Sequence, residues 1–115
     1  MGAIDMNLMT IEVLESLLAT TKNDFKRLSI QYIEKGWERK LETFPTTWLA
    51  FTRAQIQLQL AEFSHDRYMK YLEAEQRTEE RLEFLQSLYI DEMRKAVKRV
   101  NEFSNYVTNL RTMII

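Results

Sequence analysis

The side chains best spaced for chemistry are Glu62 and His65, in the run Glu62-Phe63-Ser64-His65. Residues three apart share a helix face, so a carboxylate and an imidazole placed there converge on one metal ion. His65 is the only histidine of the chain. One copy therefore supplies half a ligand set, and a two-fold dimer would have to bring the second His65, with Glu34 or Glu38 completing the site. The same histidine stands between Ser64 and Asp66, which completes the residue types of a nucleophilic triad. Adjacent helical positions diverge by about 100° and cannot hydrogen-bond in series, so the triad reading fails. Glu79 and Glu80 lie in a charge-rich run with no apolar pocket to perturb them. Neither glycine, Gly2 or Gly36, belongs to a phosphate-cradling loop, and there is no cysteine to act as nucleophile or metal ligand. The chain reads as a non-enzyme without cofactors.

The Glu62-x-x-His65 pair on a helical hairpin resembles the iron sites of ferritin-like proteins, and in particular encapsulated ferritins, which assemble such a site across a dimer. The resemblance covers those four residues and the hairpin plan, and it implies a dimeric metal site at Glu62 and His65 as the second alternative function. A first alternative comes from Arg94, Lys95, Lys98 and Arg99, a compact basic patch that would contact nucleic-acid phosphates. Asp91, Glu92 and Glu102 stand at helical spacing from those cations, so a solvated, internally paired face is the preferred reading of the patch. Small helical-hairpin secretion substrates share the length and the lack of cysteine, but their Trp-x-Gly hallmark is missing: Glu38-Arg39 follows Trp37, and Leu49-Ala50 follows Trp48.

Helices must position all of these groups. Met93, Ala96, Val100, Phe103, Val107, Leu110 and Ile114 follow at alternating spacings of three and four. That is the period at which one helix face meets a neighbouring helix. Ile11, Leu14, Leu18, Thr21, Phe25, Leu28 and Tyr32 repeat it, with Thr21 the polar member, and Phe51, Ala54, Leu58, Ala61, His65, Tyr68 and Leu72 repeat it again. Thr10 is a candidate N-cap for the first helix, and Gly36 a candidate C-terminal stop, although Ile33, Trp37, Leu41 and Phe44 continue the amphipathic pattern beyond it. Pro45 marks a firmer boundary. From Thr46 onward there is neither glycine nor proline. Residues 46–115 are then either one rod-like helix or two helices broken near Arg77-Thr78, with Thr78 as N-cap, and the break is preferred because a compact core needs its stripes folded back on each other. The expected architecture is a single all-α domain over 1–115, an antiparallel bundle with coiled-coil-like packing completed by oligomerisation. Its helices fall at about 10–35, 47–76 and 79–113, with a connector at about 36–46.

A net charge of −1 gives no overall pull toward nucleic acid or an anionic membrane. No apolar run approaches the roughly 20 residues that span a bilayer, and no signal-peptide pattern is visible, so a cytoplasmic location is expected. What remains is surface. The leading expectation is a non-catalytic protein–protein interaction module: an adaptor, scaffold, chaperone or inhibitor of the kind found among phage and mobile-element accessory proteins. Its expected partners are a second copy of itself and another protein. The expected interface is the seam from Met93 to Ile114, together with Trp37, Phe44 and Trp48 as aromatic anchors around the connector.

Overall fold

A computed structural model describes the backbone over residues 10–39 and 45–113, and the side chains over 10–34 and 46–109. Three helices pack against one another: α1 (Ile11–Arg39), α2 (Pro45–Leu72) and α3 (Glu79–Met113). No strand occurs among the described residues.

The helix starts follow from local chemistry. Thr10 Oγ1 accepts the Val13 amide at 3.3 Å, satisfying one of the donors that a first helical turn leaves open. Glu12 in that turn complements the helix dipole. Gly36 does not end α1, which continues to Arg39. An interior glycine costs about 1 kcal/mol relative to alanine, a penalty that lowers helix propensity without by itself ending a helix. Pro45 is the first residue of α2, where its missing N–H would have had no helical partner in any case.

Between α2 and α3 the chain turns; it does not run on as a rod. α2 stops at Leu72, four residues before the boundary expected from the pattern. The turn is held by its own side chains. The Arg77 guanidinium donates to the Leu72 carbonyl at the open end of α2, and the Thr78 amide donates to the Tyr71 hydroxyl at 2.9 Å. Thr78 Oγ1 then accepts the Arg81 amide at 3.2 Å and so caps α3.

Ring contacts set the helix directions. Phe51 of α2 meets Phe103 of α3 at 5.5 Å between centroids, whereas His65, further along α2, meets Tyr89, earlier on α3, at 5.4 Å. The two helices are therefore antiparallel. Phe51 also meets Phe25 and Tyr32 of α1 at 5.4 and 5.7 Å, while Lys22, earlier on α1, pairs with Glu62, later on α2. The path is up, down, up. α2 and α3 approach each other more closely than either approaches α1. The buried alanines Ala50, Ala54, Ala61 and Ala96 permit that approach, and the Gln57 amide reaches across to the Glu92 carbonyl at 3.1 Å. The large rings of Phe25, Tyr32, Phe51 and Phe103 fill the space between α1 and the hairpin. Thr21, the polar member of the α1 seam, is buried and donates its hydroxyl to the Leu17 carbonyl at 2.7 Å. The radius of gyration is 16.8 Å, against about 13 Å for a rounded domain of this length, so the bundle is elongated.

Candidate partner-binding face

α2 is apolar on two opposite sides. Ala50, Ala54, Leu58, Ala61 and Tyr68 are buried in the core or against it. Ile56 stands two positions after Ala54, which turns it about 200° around the helix. Leu49, Ile56, Leu60 and Phe63 follow one another at spacings of seven, four and three, so they share this outward side. They are 46, 52, 45 and 62 % exposed. On α1, Ile30 and Ile33 are also about half exposed.

Cations border the α2 stripe. Arg53, Arg67 and Lys70 fall on the same side of the helix, within about 60° of its centre. The Arg67 guanidinium lies 5.9 Å from the Phe63 ring centroid. Arg53 lines a cleft of about 310 Å³ between α2 and α3, together with Leu49, Arg99, Glu102 and Tyr106. Elsewhere, Lys22 pairs with Glu62, Arg27 with Asp24, Arg94 with Asp91, Lys95 with Glu92 and Arg99 with Glu102, whereas Lys26, Arg77, Arg81 and Lys98 make no ion pair among the described residues. Among the described residues, Arg53, Arg67 and Lys70 make no ion pair. Asp66, at the edge of this side, is engaged with His65.

The interface residues expected from the sequence lie on α3 and around the connector between α1 and α2. Met93, Ala96, Val100, Phe103 and Val107 are at most 4 % exposed. From Met93 to Val107 the α3 seam is part of the chain's own core, packed against α1 and α2. Its periodicity is the same whichever helix covers it. Trp48 is half exposed and packs one side on Phe51 at 5.7 Å. The side chains of Trp37 and Leu110, and residues Phe44 and Ile114 altogether, lie outside the described residues.

The basic patch is internally compensated at three of its four members. Arg94, Lys95 and Arg99 each have a carboxylate three residues away, at 3.8, 3.9 and 3.1 Å. Lys98 alone has none. The outward side of α3 opens with the half-exposed Phe84 and then runs through Ser87, Asp91, Arg94, Lys98, Asn101 and Asn105 without another large apolar side chain.

Glu62 and His65 do not converge. Glu62 turns to Lys22 of α1. His65 Nδ1 lies 3.2 Å from Asp66 Oδ1, and its buried Nε2 lies 3.4 Å from Glu15 Oε1 without making a hydrogen bond. Among the described residues no cluster of three or more His, Cys, Asp or Glu side chains is arranged to hold a metal ion. The ring of Tyr89 meets the imidazole edge-on. Its hydroxyl is buried without a hydrogen-bond partner, and burial, followed by the nearby Glu15 carboxylate, pushes the phenol up to about 12. Glu15, Leu18, Ala19, Lys22 and His65 line a shallow cleft of about 210 Å³ beside it.

Sequence reasoning passed over Leu49, Ile56, Leu60 and Phe63, although the signal was present. The inward seam of α2 takes up Phe51, Ala54, Leu58 and Ala61, and the apolar residues left over keep heptad spacing among themselves. No helix among the described residues is long and apolar enough to cross a membrane. Comparison of the chain with protein-family models, with curated proteins and with solved structures gives no match.

Proposed function

We propose that this chain is a non-catalytic interaction module that offers the outer side of α2 to a protein partner. The observation that carries the reading is the in-register stripe of Leu49, Ile56, Leu60 and Phe63, each about half exposed. Scattered apolar residues are normal on a protein surface, whereas a row at helical spacing matches the anchor pattern of helix-in-groove and helix-on-helix recognition. The core of the single chain is already closed by the α3 seam, so the stripe is not needed to hold the fold together. Adaptor, scaffold, chaperone and inhibitor are roles that such a face serves equally. Internal pairing of Arg94, Lys95 and Arg99, and the engagement of Glu62 with Lys22, leave nothing that favours the nucleic-acid or metal reading.

The test is a binding series with synthetic amphipathic helices as probes, read by fluorescence anisotropy. The double substitution Ile56→Ser with Leu60→Ser should abolish binding while far-UV circular dichroism and the melting transition stay unchanged. Binding that survives the substitution, or a variant that no longer folds, would contradict the assignment.

A further inference from the structure

We infer that the occupant of the α2 face is an amphipathic helix whose apolar stripe is bordered by aspartate and glutamate. This rests on the reading of the α2 stripe as a binding face and adds the chemistry of the partner. From Leu49 to Phe63 the stripe runs for about 21 Å at about 1.5 Å per residue, the length of four helical turns. Its apolar sector is narrow, because Thr52 and Gln59 stand on one flank and Arg53 on the other. A narrow sector of heptad spacing is the seam that a single partner helix covers; a helix lying in a membrane surface presents a broader apolar face.

The border charges select among helices. Arg53, Arg67 and Lys70 stand together on one side of α2, and among the described residues no carboxylate pairs with any of them. Burying the stripe against a neutral or basic helix would leave three cations crowded at the rim. A second copy of α2 brings the same three cations against one exposed carboxylate, Asp66, since Glu62 is held by Lys22. Self-pairing through this face is therefore opposed by its own charge. A helix with Asp or Glu beside its apolar residues supplies the missing partners and fixes the register against Arg53 at one end and Arg67 and Lys70 at the other. The Arg67 guanidinium, already drawn over Phe63, stands where such a carboxylate would arrive.

The full chain is titrated into two fluorescein-labelled synthetic helices of about 21 residues, both with leucine at the a and d heptad positions. One carries glutamate at e and g, the other lysine. The glutamate helix should bind at least about tenfold more tightly than the lysine helix, and its affinity should fall as sodium chloride is raised. In the variant Arg53→Glu with Arg67→Glu, whose substitutions are on the surface and whose folding is checked by circular dichroism, the preference should invert. Equal affinity for the two helices, with binding lost in Ile56→Ser/Leu60→Ser, would overturn the acidic-partner inference and leave the binding face standing. The same holds if neither probe binds and sedimentation shows a dimer that Leu60→Ser dissolves, because a second copy would then be the occupant. Stripe-dependent binding to vesicles of phosphatidylcholine and phosphatidylserine, with no binding of either helix, would overturn both. So would the absence of binding in all three assays.

Discussion

The guanidinium of Arg67 lies 5.9 Å from the ring centroid of Phe63, one helical turn away on the side of α2 that faces away from the core. Phe63 is the most exposed large apolar side chain among the described residues, at 62 %. At such a site a cation over an aromatic ring contributes about 0.5–1 kcal/mol, too little to account for keeping a phenylalanine in water. The pair makes better sense as an edge: the apolar stripe ends at Phe63, and the basic border takes over at Arg67. Arg53 stands within the stripe, one turn after Leu49 and before Ile56.

Substitution on the stripe should separate binding from stability. Leu60→Ser removes a side chain that is already 45 % exposed, so the loss in unfolding free energy should stay within about 0.5 kcal/mol, the usual range for a surface change. Urea denaturation of the purified variant checks this. A loss of several kcal/mol would mean that Leu60 belongs to the core.

Phe103 should behave in the opposite way. It is fully buried and meets the rings of Phe25, Tyr32 and Phe51, so it ties all three helices together. Phe103→Ala should cost about 3–5 kcal/mol, through lost burial and the cavity left behind. Equilibrium unfolding should show the whole bundle failing in a single transition at lower denaturant.

Tyr89 is a source of alkaline instability. Burial holds its phenol neutral up to about 12 in the folded chain, whereas in the unfolded chain it ionises near 10. The raised value means that its contribution to stability is complete below pH 10 and is lost as pH rises through about 12. Absorbance at the phenolate band should therefore show Tyr89 ionising late, together with unfolding, and Tyr32, whose pKa burial also raises, ionising above the ordinary range. Tyr71 should ionise earlier than an ordinary tyrosine, since its hydrogen bonds with Thr78 lower its pKa. Tyr89→Phe should remove one of the two late-titrating phenols and, by deleting a buried hydroxyl without a partner, leave the protein as stable or more stable by about 1 kcal/mol at neutral pH.

Thr78 should matter out of proportion to its exposure. It caps α3 through its hydroxyl and braces the turn through its amide on Tyr71. Thr78→Ala should destabilise by about 1 kcal/mol, and Thr78→Asp, which keeps a capping oxygen, should restore most of that loss. Thermal melting of the pair against the parent chain is sufficient to check this.

Much of the helical plan was legible in the sequence. The seams of α1 and α3 announce themselves by spacing, and Thr10 and Thr78 are caps of the expected kind in the expected places. The end of α1 was less legible, because a glycine serves a C-terminal cap and is tolerated inside a helix alike. What covers each seam was not legible at all. Periodicity says that Met93 to Val107 must be buried; it does not say whether their own chain or another buries them, and here it is α1 and α2. On α2, two apolar rows interleave, so the outer row of Leu49, Ile56, Leu60 and Phe63 is visible only after the inner one has been assigned. The surroundings of His65 are wholly tertiary, since Glu15 and Tyr89 reach it from the other two helices.

The most direct test is a heteronuclear NMR titration of the isotope-labelled chain with the glutamate-bordered leucine helix. The α2 face predicts shifts confined to Leu49, Arg53, Ile56, Leu60, Phe63 and Arg67, with Ser87, Asp91, Lys98 and Asn101 on the outward side of α3 unmoved. Shifts centred on that side of α3, with the α2 stripe silent, would contradict the account.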